Sequence, residues 1–246
     1  MSTLVLLSGG LDSAVLAAHE AQHGQVRPVY VSVGLAWETR ELAMIDRLLA
    51  APAFARVDPL TRVEFTMRDV YPASHWAIRG VPPAYDTPDE DVYLTGRNLV
   101  LLAKAGVVAA TTGAERIALG PLAGNPFPDA RPEFFTAMSS ALSLGLDHAI
   151  AIVTPFLDWQ KEDVIRRGVE LGVPLELTLS CMNPLELGSS GASGASGSSD
   201  ASGSSSASGA PFLHCGACSK CRERRDAFEA AGVVDPTPYA TTSSRS

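Results

Sequence analysis

The chain has 246 residues and a formal charge of −8, enough length for one α/β domain with an appendage. That acidity argues against the basic stripe of a broad nucleic-acid-binding surface, so small molecules are the expected partners and no stable nucleic-acid binding is expected. Apolar runs stay short of a membrane span and the N-terminus enters one directly, with no basic leader, so no membrane partner and a cytoplasmic place are expected.

Taken in chain order, Leu4-Val5-Leu6-Leu7 reads as a buried strand and Ala14-Val15-Leu16-Ala17-Ala18 as the helix after it. Residues 28–33 read as a second strand. Residues 39–49 place Leu42, Ile45, Leu48 and Leu49 on one helical face. Residues 63–67 suggest a strand, and residues 99–110, apolar nearly all round, a helix buried against the sheet. Short buried strands are expected at 117–119 and 149–153, separated by a helix over 132–144. A last helix runs over 159–171, stopped by Gly172 and Pro174. This alternation predicts a doubly wound, mainly parallel sheet.

Two stretches fall outside that pattern. Residues 188–210 are almost only Ser, Gly and Ala, with nothing large enough to offset the entropy of ordering, and are expected to form a flexible loop. The expected organisation is an α/β domain over 1–178, a C-terminal region over 179–237 interrupted by that loop, and a disordered tail over 238–246.

Between the first strand and helix stands Ser8-Gly9-Gly10-Leu11-Asp12-Ser13. Two glycines allow a sharp turn that leaves N–H groups pointing one way, and the helix dipole adds positive charge behind them. Ser8 and Ser13 add hydroxyl donors, and Asp12 suits a Mg²⁺ ion held against phosphates. The loop lacks the Gly-Lys-Ser/Thr ending of a Walker A motif and resembles the SGGxDS signature of the PP-loop ATP pyrophosphatases. The duller reading is a glycine-rich strand–helix turn.

All four cysteines lie near the C-terminus: Cys181, then Cys215, Cys218 and Cys221. The last three form C-x2-C-x2-C, a spacing that suits tetrahedral thiolate coordination closed by Cys181. A structural Zn²⁺ site without an open position is the expectation. An iron–sulfur cluster is the main competitor, and a reducing setting disfavours disulfides.

Together these two constellations resemble the 7-cyano-7-deazaguanine synthase family, from residue 2 to about 235 apart from the Ser/Gly tract. Thr95-Gly96-Arg97-Asn98 is similar to its PxRN or PGRN segment. Residues Phe127-Pro128-Asp129-Ala130-Arg131-Pro132-Glu133-Phe134 are similar to YPDCRPEF, and Thr154-Pro155-Phe156 with Lys161 to TP[LF]…K. Thr178-Leu179-Ser180-Cys181 and His214-Cys215-Gly216 match its ligand segments.

The resemblance implies an adenine nucleotide alpha hydrolase-like, Rossmann-like fold and an ATP-dependent ligase. Its substrates would be 7-carboxy-7-deazaguanine, ammonia and Mg²⁺-ATP, and a homodimer is implied as possible. Ser8, Gly9, Gly10, Leu11, Asp12 and Ser13 would grip pyrophosphate. Arg97 and Lys161 would neutralise charge at the α-phosphate and leaving group, with Asp12 and Ser13 as their catalytic partners. Phe127, Asp129 and Arg131 would face the deazapurine. Against these stand plainer roles: a surface ion pair for Arg97, a solvated helix start for Lys161, a helix cap for Asp129 and core packing for Phe127.

The chain departs from the family pattern at two places. Trp37-Glu38-Thr39-Arg40-Glu41 replaces YGQ[RK]H, and Ala130 replaces the cysteine of YPDCR. A branch that stops at the amide, or takes another acid or amine, therefore stays open. A sulfur-inserting tRNA-modifying enzyme is a weaker alternative, since four cysteines fit one metal site and leave none over.

Overall fold

A computed structural model describes residues 2–187 and 211–240. Five strands form one parallel sheet in the order β3-β2-β1-β4-β5: β1 (Ser2–Leu6), β2 (Gln25–Ser32), β3 (Thr61–Glu64), β4 (Arg116–Ala118) and β5 (Ala151–Val153). Registers such as Leu4 with Arg27 and Ile117 with Ile152 run in parallel across the sheet. Alternation along the strands sends Leu4, Val29, Val31 and Ile117 to one face and Val5, Tyr30 and Ala118 to the other. Helix α4 (Arg97–Thr112) and α5 (Pro132–Leu146) pack on the first face. Helix α1 (Leu11–Glu20) and α6 (Lys161–Glu170) pack on the second. Each fully buried Leu, Ile or Val on these faces contributes roughly 1.5–3 kcal/mol.

The α/β sheet is the one the alternating pattern predicts. Its strand order reverses between β1 and β4, and the crevice at the C-terminal ends of two strands that part in this way is where α/β sheets bind ligands. Helix α2 (Glu38–Leu49) closes over the end of β2, and the short α3 (Trp76–Arg79) lies near it. Among the described residues no helix is long and apolar enough to cross a membrane.

The structure differs from the sequence expectation at four points. Helix α4 is not buried all round: Leu99 and Val107 are about half exposed, at 49% and 48%, because only its Leu102, Ala105, Gly106 and Ala109 face meets the sheet. Strand β3 begins at Thr61 and ends at Glu64, since its pairing to Val29 through Ser32 sets its length rather than the apolar run. A further helix, α7 (Ser219–Ala231), begins after Cys218, carries Cys221 and packs on α6. Its polar residues all round its surface gave no amphipathic signal.

Residues 238–240, expected to lie in a disordered tail, are paired in the structure, and residues 241–246 lie outside the described residues. His214 donates from its N–H to the Pro238 carbonyl and Ala240 donates to the His214 carbonyl, so residues 238–240 are paired with the cysteine segment. Arg225 stacks over the Tyr239 ring at 3.9 Å. The Ser/Gly tract over 188–210 lies outside the described residues, flanked by the antiparallel pair β6 (Leu185–Glu186) and β7 (Phe212–Leu213).

Candidate functional site

The loop from β1 into α1 is held by its own side chains. Ser13 Oγ accepts from the Ser8 N–H at 3.2 Å and donates to the Gly10 carbonyl at 3.1 Å, and Ser8 Oγ accepts from the Gly10 N–H. Gly9 sits at φ +78°, and a Cβ there would meet Ile45 Cγ1 at 2.9 Å, so glycine is required by both conformation and space. Gly10 caps α1 with extended backbone and, among the described residues, no side chain caps the first turn. Its N–H groups are therefore left for another acceptor, with the helix dipole behind them.

Beside this loop lies a cleft of about 370 Å³. Lys161, at the start of α6, donates from Nζ to Asp12 Oδ2 at 2.6 Å and to Glu223 Oε1 at 3.1 Å. Lys220 donates to Glu223 Oε2 at 2.6 Å. Burial alone would lower Lys161, but the two carboxylates outweigh it and hold the ammonium charged well above its usual range. Burial likewise opposes charge on Glu223, yet Lys161 and Lys220 hold its carboxyl down at about 2. Asp12 Oδ1 is buried and has no hydrogen-bond partner among the described residues, which fits it as a ligand to a divalent cation.

The other end of the cleft is aromatic and carboxylate-lined. Trp37 and Trp76 stack with ring centroids 5.7 Å apart, and Phe127 stacks on Tyr93 at 4.9 Å. Asp129 Oδ2 accepts from the Asn98 N–H at 3.0 Å while the Asn98 side chain donates to the Asp129 carbonyl, tying this loop to the start of α4. Burial raises the Asp129 carboxyl against that hydrogen bond. Arg97 is half-buried, and its Nε has no partner among the described residues. Glu41 is buried and accepts from Tyr30 Oη at 2.6 Å. Burial pushes its carboxyl up to about 7, opposed by the nearby Arg97 charge and the Tyr30 hydroxyl.

Below the cleft the four cysteines gather into one group. Their sulfurs all lie within 4.8 Å of one another, and none is in a disulfide. The Cys215–Cys221 and Cys218–Cys221 separations are 3.9 and 3.5 Å, close to the ~3.8 Å edge of a tetrahedron built on Zn–S bonds of about 2.3 Å. Backbone N–H groups point at these sulfurs: Asn183 and Cys215 donate to Cys181, and Ala217 to Cys215. Gly216, at φ +72°, makes the turn that permits the last of these. Amide donors stabilise thiolate charge, so the group suits a metal ion held by Cys181, Cys215, Cys218 and Cys221.

Of the residues expected from sequence, Ser8, Gly10, Leu11, Asp12, Ser13, Arg97, Lys161, Phe127 and Asp129 all line the cleft, and Gly9 shapes its loop. Arg131 does not join them. It is exposed and serves as the backbone N-cap of α5, with Pro132 as that helix's first residue. Sequence reasoning missed Glu41, Tyr30, Asn125, Lys220 and Glu223, all of which line the cleft. Trp37 lines the cleft; Trp159 stacks on Phe156 at 4.6 Å in the core. A signal for the last pair existed in Lys220 and Glu223, spaced three apart as helix neighbours are.

The segment with the replaced motif meets the cleft directly, since Trp37 and Glu41 are both lining residues while Glu38 turns its carboxylate onto the Val33 and Gly34 N–H groups. A family model described as queuosine biosynthesis protein QueC matches residues 2–232. Curated relatives named 7-cyano-7-deazaguanine synthase align along nearly their whole length. The one from Methanothrix thermoacetophila is 32% identical over 95% of this chain and 96% of its own. The one from Acidobacterium capsulatum is 32% identical, covering 96% of each chain. A third, from Methanoculleus marisnigri, is 32% identical over 95% of this chain and 96% of its own. With the phosphate loop, the cleft at the sheet's switch point and the four-cysteine group in place, the chain belongs to the QueC family of queuosine biosynthesis proteins.

Proposed function

We propose that this protein converts 7-carboxy-7-deazaguanine and ammonia into 7-cyano-7-deazaguanine, using two molecules of ATP and releasing AMP and pyrophosphate from each. The observation that carries the reading is the meeting of the Ser8–Ser13 loop with Lys161 and Arg97 in one cleft, in a chain of this family. The substrate carboxylate attacks the α-phosphorus of ATP, and the bond to the β-phosphate breaks to release pyrophosphate. Ammonia then adds to the acyl carbon, and AMP leaves with the electron pair of the acyl–oxygen bond, giving the amide. A second ATP adenylates the amide oxygen. Loss of AMP and the remaining protons on nitrogen gives the nitrile.

Nothing in these steps needs a covalent nucleophile from the protein. Its share is positioning and charge stabilisation. The N–H groups at the start of α1, with Ser8 and Ser13 hydroxyls, take the phosphates being released. Lys161 and Arg97 stand where negative charge grows. Asp12 would hold Mg²⁺, which neutralises phosphate charge when bound with ATP. That aid has a reason in the charge balance: Arg97, Lys161 and Lys220 face Asp12, Glu41, Asp129 and Glu223, so the cleft does not by itself offset a triphosphate. Phe127 and Trp37 offer faces to a flat base and Asp129 an acceptor for its amine edge. Zn²⁺ is the metal proposed for the cysteines, and a cytoplasmic homodimer belongs to the same reading.

The test is the product mass from purified protein given Mg²⁺-ATP, the carboxylate and ammonium. The nitrile with AMP and pyrophosphate is expected. The amide alone would mean that only the first ligation occurs, an outcome to which Trp37, Glu41 and Ala130 would then be assigned. Unconsumed ATP would overturn this acid as the substrate.

A further inference from the structure

One wall of the cleft comes not from the Ser8–Ser13 loop but from the helix that carries the last cysteine. Helix α7 starts directly after Cys218 and turns Lys220 of its first turn and Glu223 of its second onto the cleft. The Glu223 carboxylate bridges two ammoniums, taking Lys220 on one oxygen at 2.6 Å and Lys161 on the other at 3.1 Å. Lys161 in turn reaches Asp12 of the phosphate loop. Two cations thus bracket one small carboxylate, close enough together for neighbouring phosphate groups to touch both.

An exposed Lys–Glu pair three apart on a helix is ordinarily worth little. Two facts separate this one from that case. Glu223 also holds Lys161 from a different helix, and all three side chains line the same cleft as Ser8, Gly10 and Ser13. Lysine suits a place where an anion arrives, because its compact charge sits on a flexible stem with rotatable donors and can exchange a carboxylate for a phosphate.

We propose that Lys220 is a second phosphate-binding lysine, contacting the pyrophosphate end of ATP from the wall opposite the Ser8–Ser13 loop. The inference rests on the nucleotide reading of the cleft. It also gives the cysteine group a role in binding: Cys218 caps the helix that carries Lys220 and Cys221 follows it, so the metal site sets where this cation stands.

The experiment is calorimetric binding of Mg²⁺-pyrophosphate, of Mg²⁺ with the uncleavable α,β-methylene analogue of ATP, and of AMP. It compares the full-length wild type with Lys220→Gln and Lys220→Arg, alongside metal content and unfolding temperature. Lys220→Gln is expected to weaken pyrophosphate and the analogue about tenfold. AMP affinity, metal content and unfolding temperature stay at wild-type values, and Lys220→Arg recovers most of the loss. Wild-type affinity for pyrophosphate in a metal-loaded Lys220→Gln would overturn the assignment, as would an equal loss for all three ligands. A wild type that binds neither pyrophosphate nor the analogue would overturn the nucleotide reading itself, a separate failure recognisable before any variant is made.

Discussion

The two walls of the cleft are built by contacts of different range. The phosphate loop is closed by hydrogen bonds among Ser8, Gly10 and Ser13, none spanning more than 5 positions. The opposite wall depends on partners far apart in the chain, such as the Cys215 N–H on Cys181 across 34 positions and Lys161 on Asp12 across 149. The loop takes one distant bond besides, from the Leu179 N–H to the Gly9 carbonyl, but its own side chains set its turn. The distant wall takes shape when the cysteines are gathered and α7 packs Ala227 and Phe228 into the core beside α6. Losing a side chain of the loop leaves the fold in place, whereas losing one of the cysteines that gather the second wall is expected to remove its fold and its chemistry together.

The largest effect should come from the distant wall. Cys218→Ser is expected to lose the bound metal and, with structural zinc binding worth on the order of 10 kcal/mol, most of the stability of the C-terminal region. Metal content and thermal unfolding should fall together. A variant that kept its full metal would break the comparison, because the group would not be a four-thiolate site.

Asp12→Ala tests the other wall. Catalytic turnover should drop about 10³-fold, while the unfolding temperature stays within a few degrees, since Lys161 keeps Glu223 as a partner. A collapse of stability instead would show that the loop's turn is not set by its own side chains.

Glu41→Gln sharpens the comparison through pH. In the unfolded chain this carboxyl ionises near 4.5, and in the folded protein near 7. Between those values the folded state holds a proton that the unfolded state has lost, so stability falls as pH rises, by about 1.4 kcal/mol per unit and about 3 kcal/mol in all. The glutamine variant should lack that slope in denaturant unfolding followed from pH 4.5 to 7. An unchanged slope would remove Glu41 as its source.

Gly9→Ala should cost about 1–3 kcal/mol in denaturant unfolding, from its left-handed φ and the close Ile45 contact. Near-wild-type stability would mean the loop tolerates another backbone path. The smallest effect is expected from deleting residues 189–206, where doubling a loop's length changes stability by only about 0.6 kcal/mol. Activity and metal content should survive, and loss of either would give that tract a role its composition does not suggest.

How legible each wall was follows from the same difference in range. Gly9, Asp12 and Ser13 stand in one run of six residues next to an apolar strand, so their chemistry could be read in place. The cysteines were legible through their spacing, and Lys161 through the Thr154-Pro155-Phe156 segment before it. Glu41 was not, because it stands among Leu42, Ile45 and Leu48 as a polar residue on a helix whose buried side includes Glu38 and Glu41. Arg131 stands outside the cleft for a related reason: a motif records neighbours along the chain, and here Asp129 is buried while Arg131, two positions on, is exposed.

By itself the sequence determined the parallel α/β sheet, the glycine turn between β1 and α1 and the set of four cysteines. Strand periodicity, glycine conformation and ligand spacing are properties of short stretches, and each carries its physics with it. Only the tertiary structure decided which side chains share the cleft: that Lys220 and Glu223 meet Lys161, that Glu41 lies buried beside Tyr30 near the Arg97 charge, and that Tyr239 covers His214. Those placements come from how helices pack on the two faces of the sheet, and charge effects such as the raised Glu41 carboxyl exist only once that packing has removed water.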